Sequence, residues 1–160
     1  ATAIEEKQIS GAAIDVFRWE PEKNGDHFES PMQGLKNVLL TPHIGGSTEE
    51  AQQNIGEDVS IKLFQYLERG ITNGSHTVPA IGLPPIEGTH RILHVHHNVP
   101  GVLSAINTAL SKNKINIVGQ YLKTNEDIGY VVLDIEKKLS KTAIELLKSV
   151  KSTIKVRMLY

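Results

Sequence analysis

His43 directly follows Asn37-Val38-Leu39-Leu40-Thr41-Pro42, an apolar run closed by proline, and stands just ahead of Gly45-Gly46. An imidazole at the end of a buried strand can take a proton from an alcohol or return one to a ketone, because it titrates near neutrality. It then needs a carboxylate to orient it and to stabilise its charged form. Glu20, just past another apolar run over residues 12–17, is placed to serve, and Asp15, at the end of the strand expected within that run, has its carboxylate near the same crevice. Gly45-Gly46 would let a ligand approach the backbone closely, beside a helix N-terminus that favours anions. On the residues alone the plainer alternatives stay open: a surface-loop His, a solvated Glu, a strand-end Asp and a simple glycine turn.

The elements that must position these groups follow from the patterning. Residues 4–7 read as the tail of a helix stopped at Ser10-Gly11. Residues 12–17 and 37–42 are short, mostly apolar runs, the signature of strands covered on both faces. Between them, residues 18–36 are rich in Pro, Asn, Gly, Asp and Ser and show no periodicity. Ser47, with Glu50 three residues on, forms a capping-box pattern. It predicts a long helix from Thr48 to Arg69, with Ala51, Ile55, Val59, Leu63 and Leu67 along one stripe and Gly70 as the stop. Residues 71–88 have the composition of an extended linker, partly stiffened by Pro79, Pro84 and Pro85.

The last 72 residues form a module of their own. Strands are expected at 91–96, 115–123, 130–136 and 154–158, the last exposing Lys155 and Arg157 on one face. One helix starts at Pro100, with the stripe Val99, Val102, Leu103, Ile106 and Leu110. A second is capped by Ser140 and carries Ala143, Leu146, Leu147 and Val150. The order β-α-β-β-α-β is the ferredoxin-like arrangement.

Composition narrows the function classes. The chain has 160 residues, with 17 Lys and Arg against 18 Asp and Glu, a formal charge of −1. Phosphate binding needs a basic surplus, so nucleic acid is not expected as a partner. No apolar run reaches the length of a membrane span, and no membrane association is expected. The absence of Cys excludes disulfides and thiolate sites and suits a reducing cytoplasm. His94 and His96 share a strand face, but no third ligand follows from spacing and no metal is expected. Lys148, Lys151, Lys155 and Arg157 read as a solvated face.

The two segments Gly11-Ala12-Ala13-Ile14-Asp15-Val16-Phe17-x-x-Glu20-Pro21 and Thr41-Pro42-His43-Ile44-Gly45-Gly46-Ser47-Thr48 resemble the D-isomer-specific 2-hydroxyacid dehydrogenases. The resemblance implies that His43 is the catalytic acid/base and Glu20 the partner that raises its basicity. It also puts Asp15, His43, Ile44, Gly45 and Gly46 along bound NAD. The module at the end, with His94-Val95-His96-His97-Asn98-Val99-Pro100-Gly101 and Asn116-Ile117, resembles an ACT domain. The fold class implied is α/β: the C-terminal end of a Rossmann-type parallel sheet and a long helix, followed by an α+β ferredoxin-like ACT domain. The corresponding boundaries are 1–46 for the end of the NAD-binding domain, 47–88 for the helix and linker belonging to the substrate domain, and 89–160 for the ACT domain.

Members of the family with an ACT domain imply oxidation of 3-phosphoglycerate to 3-phosphohydroxypyruvate for L-serine biosynthesis, in a cytoplasmic homo-oligomer, a tetramer, joined through the ACT domains. L-serine would bind there as feedback inhibitor on His96, Asn98 and Asn116. The family's Gly-Gly hinge falls on Gly88-Thr89. Two other readings remain at this point: a related dehydrogenase acting on 2-oxoglutarate, and a regulatory amino-acid-binding module beside an inactive catalytic remnant. No Gly-rich pyrophosphate loop of the G-x-G-x-x-G kind occurs in the 160 residues. The sequence therefore reads as a piece of a longer chain, expected to be inactive alone.

Overall fold

The computed structural model describes residues 1–160 apart from Asn24. Contacts divide the chain into two compact units, Ala1–Asp58 and Val59–Tyr160, with the division inside one long helix.

In the first unit a single helical turn, α1 (Thr2–Glu5), precedes two short strands, β1 (Ala12–Ile14) and β2 (Val38–Leu40). They pair in parallel with Ala13 opposite Leu39, and Thr41 N–H continues the ladder onto the Ile14 carbonyl. Parallel pairing brings both carboxyl ends to one edge. The strands are shorter than the sequence predicts and none of their residues is buried in this chain: the middle residue of each, Ala13 and Leu39, is exposed, Leu39 by 63%. An apolar run reports what a strand is built to face, and these two keep those faces open here.

α2 (Glu49–Arg69) is the long helix, close to the predicted range. The expected capping box does not form. Thr48 Oγ1 accepts from Ala51 N–H and caps the helix, while Ser47 Oγ turns back to donate to the His43 carbonyl. The apolar stripe exists but none of α2 is buried. Gly70, with φ of 68°, ends the helix as expected.

The second unit is a four-stranded antiparallel sheet with order β4-β5-β3-β6. Its elements are β3 (Thr89–His97), α3 (Val102–Lys112), β4 (Ile117–Thr124), β5 (Ile128–Glu136), α4 (Ser140–Lys148) and β6 (Thr153–Leu159). This is the ferredoxin-like order read from the sequence. The strand alternation places Ile92, Val131, Leu133 and Ile135 against Val102, Ile106, Leu110, Ala143 and Leu147 of the two helices. The opposite face carries Leu93, Tyr130, Val132 and Leu159, covered by Val78, Ile81 and Leu83. The segment 71–88 has no regular element, as expected, yet it is packed: Thr72 Oγ1 donates to the Pro79 carbonyl and accepts from Ile81 N–H.

Two more helix-start expectations are corrected. α3 begins at Val102 after Gly101 rather than at Pro100, so Val99 is exposed and outside its stripe. Ser140 is the first residue of α4 rather than its cap. A 3₁₀ turn (Lys137–Leu139) precedes α4, and Ser140 Oγ donates to the Lys137 carbonyl. The Asn98 amide, ahead of α3, donates to the Asn125 carbonyl. Among the described residues no helix is long and apolar enough to cross a membrane.

Candidate functional site

Glu20 and His43 meet. Glu20 Oε2 lies 2.7 Å from His43 Nδ1, and Glu20 Oε1 accepts from Phe17 N–H at 2.8 Å. The contact with Phe17 is a local turn across three residues that holds the carboxylate in place independently of the imidazole. A ring nitrogen beside a carboxylate carries the proton, so Nδ1 donates and Nε2 keeps its lone pair. His43 itself has φ of 54°, a left-handed conformation that ordinary side chains seldom adopt, and its N–H closes a tight turn onto the Thr41 carbonyl. Backbone strain of this kind costs on the order of 1–3 kcal/mol and is found at sites where a side chain must be aimed.

Asp15 holds the loop that carries His43. Its Oδ1 accepts from Thr41 Oγ1 at 2.6 Å and from Ile44 N–H at 2.9 Å, and its Oδ2 accepts from Gly45 N–H at 2.8 Å. A Cβ on Gly45 would lie 2.9 Å from Asp15 Oδ2, so the glycine here admits the chain's own carboxylate. The Gly46 carbonyl accepts from the Gln52 amide of α2.

These contacts set the ionisation. The hydrogen bond and charge of Glu20 raise the His43 pKa above its usual 6.5, with Asp15 adding to the effect. The Phe17 amide and then His43 hold Glu20 below the usual carboxylate range. Thr41 and the Gly45 and Ile44 amides do the same for Asp15. The result is a poised base beside two fixed anions, open to solvent: His43 is 51% and Glu20 32% exposed. A cleft of about 410 Å³ lies against the pair, floored by Phe17, Phe28, Leu40 and Pro42.

Asp15, His43, Ile44 and Gly45 therefore come together as the sequence suggested. Thr41, the Phe17 amide and Ser47 were missed. The three-residue spacing from Phe17 to Glu20 could have suggested the second of them. The acceptor left on Asp15 suits the NH2 of a nicotinamide carboxamide. A carboxylate has about four lone-pair positions, and Asp15 uses three of them on the loop, leaving one acceptor on Oδ2. In front of Gly46 the nearest obstacle to a Cβ is Ile55 Cδ1 at 3.9 Å.

In the second unit the three proposed effector residues do not converge within one chain. His90 and Ile117 both align with Ile135, so the start of β4 is level with the start of β3. His96 lies six residues further along, opposite Gly129. At ~3.3 Å per residue, Asn116 is roughly 20 Å from His96 and Asn98. His96 is buried, its ring pressed on Gly129 where no Cβ would fit, and Nδ1 donates to the His97 carbonyl at 2.8 Å. Its Nε2 is buried with no partner among the described residues, as is Nδ1 of His94. Burial and the neighbouring His96 push His94 down to about 4. The described residues contain no group of three or more His, Cys, Asp or Glu that could hold a metal ion. Asn116 is exposed and lines an open pocket at the end of α3.

The sequence signals also passed over a buried ion pair. Arg91 on β3 forms two bonds to Asp134 on β5, at 2.8 and 2.7 Å, and also donates to the carbonyls of Arg69, Leu83 and Pro84. Tyr130 Oη donates to the Gly70 carbonyl at 2.7 Å.

A parallel strand pair ending in a carboxylate-backed histidine, followed by a ferredoxin-like module, agrees with the family models that match each end. Residues 1–45 match the D-isomer specific 2-hydroxyacid dehydrogenase, NAD binding domain, and residues 92–155 match the AHAS small subunit-like ACT domain. The two matches together give the order of a D-isomer-specific 2-hydroxyacid dehydrogenase NAD-binding domain followed by an ACT domain. Over its whole length the chain is similar to D-3-phosphoglycerate dehydrogenases. It is 46% identical to that of Escherichia coli K12 over 160 residues, covering 99% of this chain and 39% of the relative. For Haemophilus influenzae the identity is 45%, and for Dictyostelium discoideum 43%, each covering 100% of this chain and 39% of the relative. The chain thus spans about two-fifths of the length of these curated relatives.

Proposed function

We propose that residues 1–46 supply the acid/base half of an NAD-dependent dehydrogenase that oxidises 3-phosphoglycerate to 3-phosphohydroxypyruvate, in a polypeptide that also provides the pyrophosphate loop and the substrate clamp. The observation that carries this reading is the 2.7 Å contact between Glu20 and His43 Nδ1, which leaves Nε2 as the proton acceptor. NAD, when bound, supplies the hydride acceptor. His43 Nε2 takes the hydroxyl proton as the C2 hydride departs, and Glu20 stabilises the imidazolium that results. Asp15 keeps the loop in place and offers its remaining lone pair to the carboxamide. In the reverse direction the imidazolium returns the proton to the ketone. The boundaries 1–46, 47–88 and 89–160 go with this reading, as does a cytoplasmic setting. Turnover of 3-phosphoglycerate with NAD by the polypeptide containing this chain tests it. Preference for 2-hydroxyglutarate would move the assignment to the related reductase class.

For residues 89–160 we propose an L-serine effector site shared between two copies. Because Asn116 sits about 20 Å from His96 and Asn98, one site would take His96 and Asn98 from one copy and Asn116 from the other, which favours a homo-oligomer joined here, a tetramer in the full assembly. Serine inhibits in this scheme only if it binds the less active arrangement better. Calorimetry should show serine binding that weakens about tenfold or more in Asn116→Ala, since a lost charge-assisted hydrogen bond costs about 1.5–3 kcal/mol. Catalysis should be unchanged. Undiminished serine affinity in that variant would remove Asn116 from the site.

A further inference from the structure

The pocket that carries Asn116 has a feature the serine reading leaves unused. Where α3 ends, the chain makes a complete Schellman turn: Ile115 N–H bonds to the Leu110 carbonyl at 3.0 Å and Lys114 N–H to the Ser111 carbonyl at 2.9 Å. The residue at the left-handed position of such a turn is usually glycine. Here it is Lys114, with φ of 56°. A lysine at this place fixes where its side chain leaves the backbone, and Lys114 lines the same pocket as Asn107, Ser111 and Asn116.

We infer that this half of the effector site is built for an amino acid bearing a second anionic group, a side-chain phosphate or carboxylate, with Lys114 as the partner of that group. The inference rests on the effector reading and names the ligand class for the same site. Four observations carry it. The pocket, about 480 Å³, is large enough for an amino acid with an extended polar side chain, and no carboxylate lines it. Lys114 forms no ion pair among the described residues. The Leu110 and Ser111 carbonyls are occupied by the turn's own amides, so the helix end presents less negative character to an incoming anion. Residues 89–160 hold eleven Lys and Arg against five Asp and Glu, a field that draws anions to this unit, whereas residues 1–88 hold six against thirteen.

A purely local role for Lys114 makes a different prediction. If the lysine only complements the helix C-terminus, its removal changes stability and leaves ligand preference alone. Lys114→Gly separates the two, because glycine suits the left-handed position and the variant should fold at least as well.

The test is calorimetry at low salt on the wild-type chain and Lys114→Gly, with L-serine, O-phospho-L-serine and inorganic phosphate as probes. O-phospho-L-serine should bind about two- to fivefold tighter than serine, the scale of one solvent-accessible ion pair. That margin should shrink in half-molar salt and vanish in Lys114→Gly, with serine affinity retained. Phosphoserine binding no tighter than serine overturns the inference and leaves the serine site standing. A preference that survives Lys114→Gly overturns it as well. Inorganic phosphate binding as tightly as phosphoserine reduces the pocket to a simple anion site, and absence of binding by either amino acid removes the effector site altogether.

Discussion

Replacing His43 by Gln should lower kcat for 3-phosphoglycerate oxidation by about 10²–10⁴ in the polypeptide that contains this chain, the usual weight of a positioned acid/base. KM should move little, because the imidazole acts on a proton in flight and contributes little to holding the ground state. Glutamine is similar in size and can still donate towards Glu20, but it has no nitrogen lone pair for the hydroxyl proton. Rates measured as NADH formation at saturating substrate report the effect. The loop should survive the change, since it is held by Asp15 through Thr41, Ile44 and Gly45 rather than by the imidazole. Unchanged turnover would remove His43 from the chemistry and leave the regulatory-module reading.

The second large effect lies in the other unit. Arg91→Leu should destabilise it by about 3–5 kcal/mol, because the substitution leaves Asp134 as an uncompensated charge in a site that is fully enclosed. It also strips donors from the carbonyls of Arg69, Leu83 and Pro84, which tie the end of α2 and the packed segment 71–88 to the sheet. In urea this should appear as an earlier transition in the far-ultraviolet dichroism of the sheet, with a midpoint lower by on the order of 2 M. Trp19, the one tryptophan, sits exposed in the first unit and provides an internal control through its fluorescence. Replacing Arg91 and Asp134 together by apolar residues should cost less than Arg91→Leu alone, since no orphan charge remains. A single variant as stable as the wild type would show that the pair contributes nothing to the fold.

Much of this was legible from residue patterns. The βαββαβ order of residues 89–160 followed from two periodicities, 2.0 and 3.6, that alternate cleanly, and the sheet reproduces them with ends shifted by one or two residues. The Glu20–His43 pair was legible because both lie just past apolar runs that pair in parallel, so their ends share an edge. What failed were local competitions that periodicity does not encode. Thr48 rather than Ser47 accepts from Ala51 N–H at the helix start, while Ser47 Oγ turns back to donate to the His43 carbonyl. The strands over residues 12–17 and 37–42 looked buried because their composition is apolar, whereas burial depends on what packs against them. The separation of Asn116 from His96 and Asn98 required the strand register, which a one-dimensional pattern does not contain. The Arg91–Asp134 pair was illegible for the same reason: 43 residues separate two charges in strands that each read as simply hydrophobic.

The central claim is that Glu20 makes His43 a stronger base. It can be measured on this chain directly, by following the His43 ring carbon resonance through a pH titration in the wild type and in Glu20→Gln. The His43 pKa should lie above 6.5 in the wild type, where Glu20 favours the imidazolium, and should fall back towards 6.5 in Glu20→Gln. The linkage has a matching sign. With a raised pKa in the folded state, the pair's contribution to stability is fully present below pH 6.5 and is lost as pH climbs through the raised value. A His43 that titrates at or below 6.5 in the wild type, or that titrates identically in Glu20→Gln, would contradict the account.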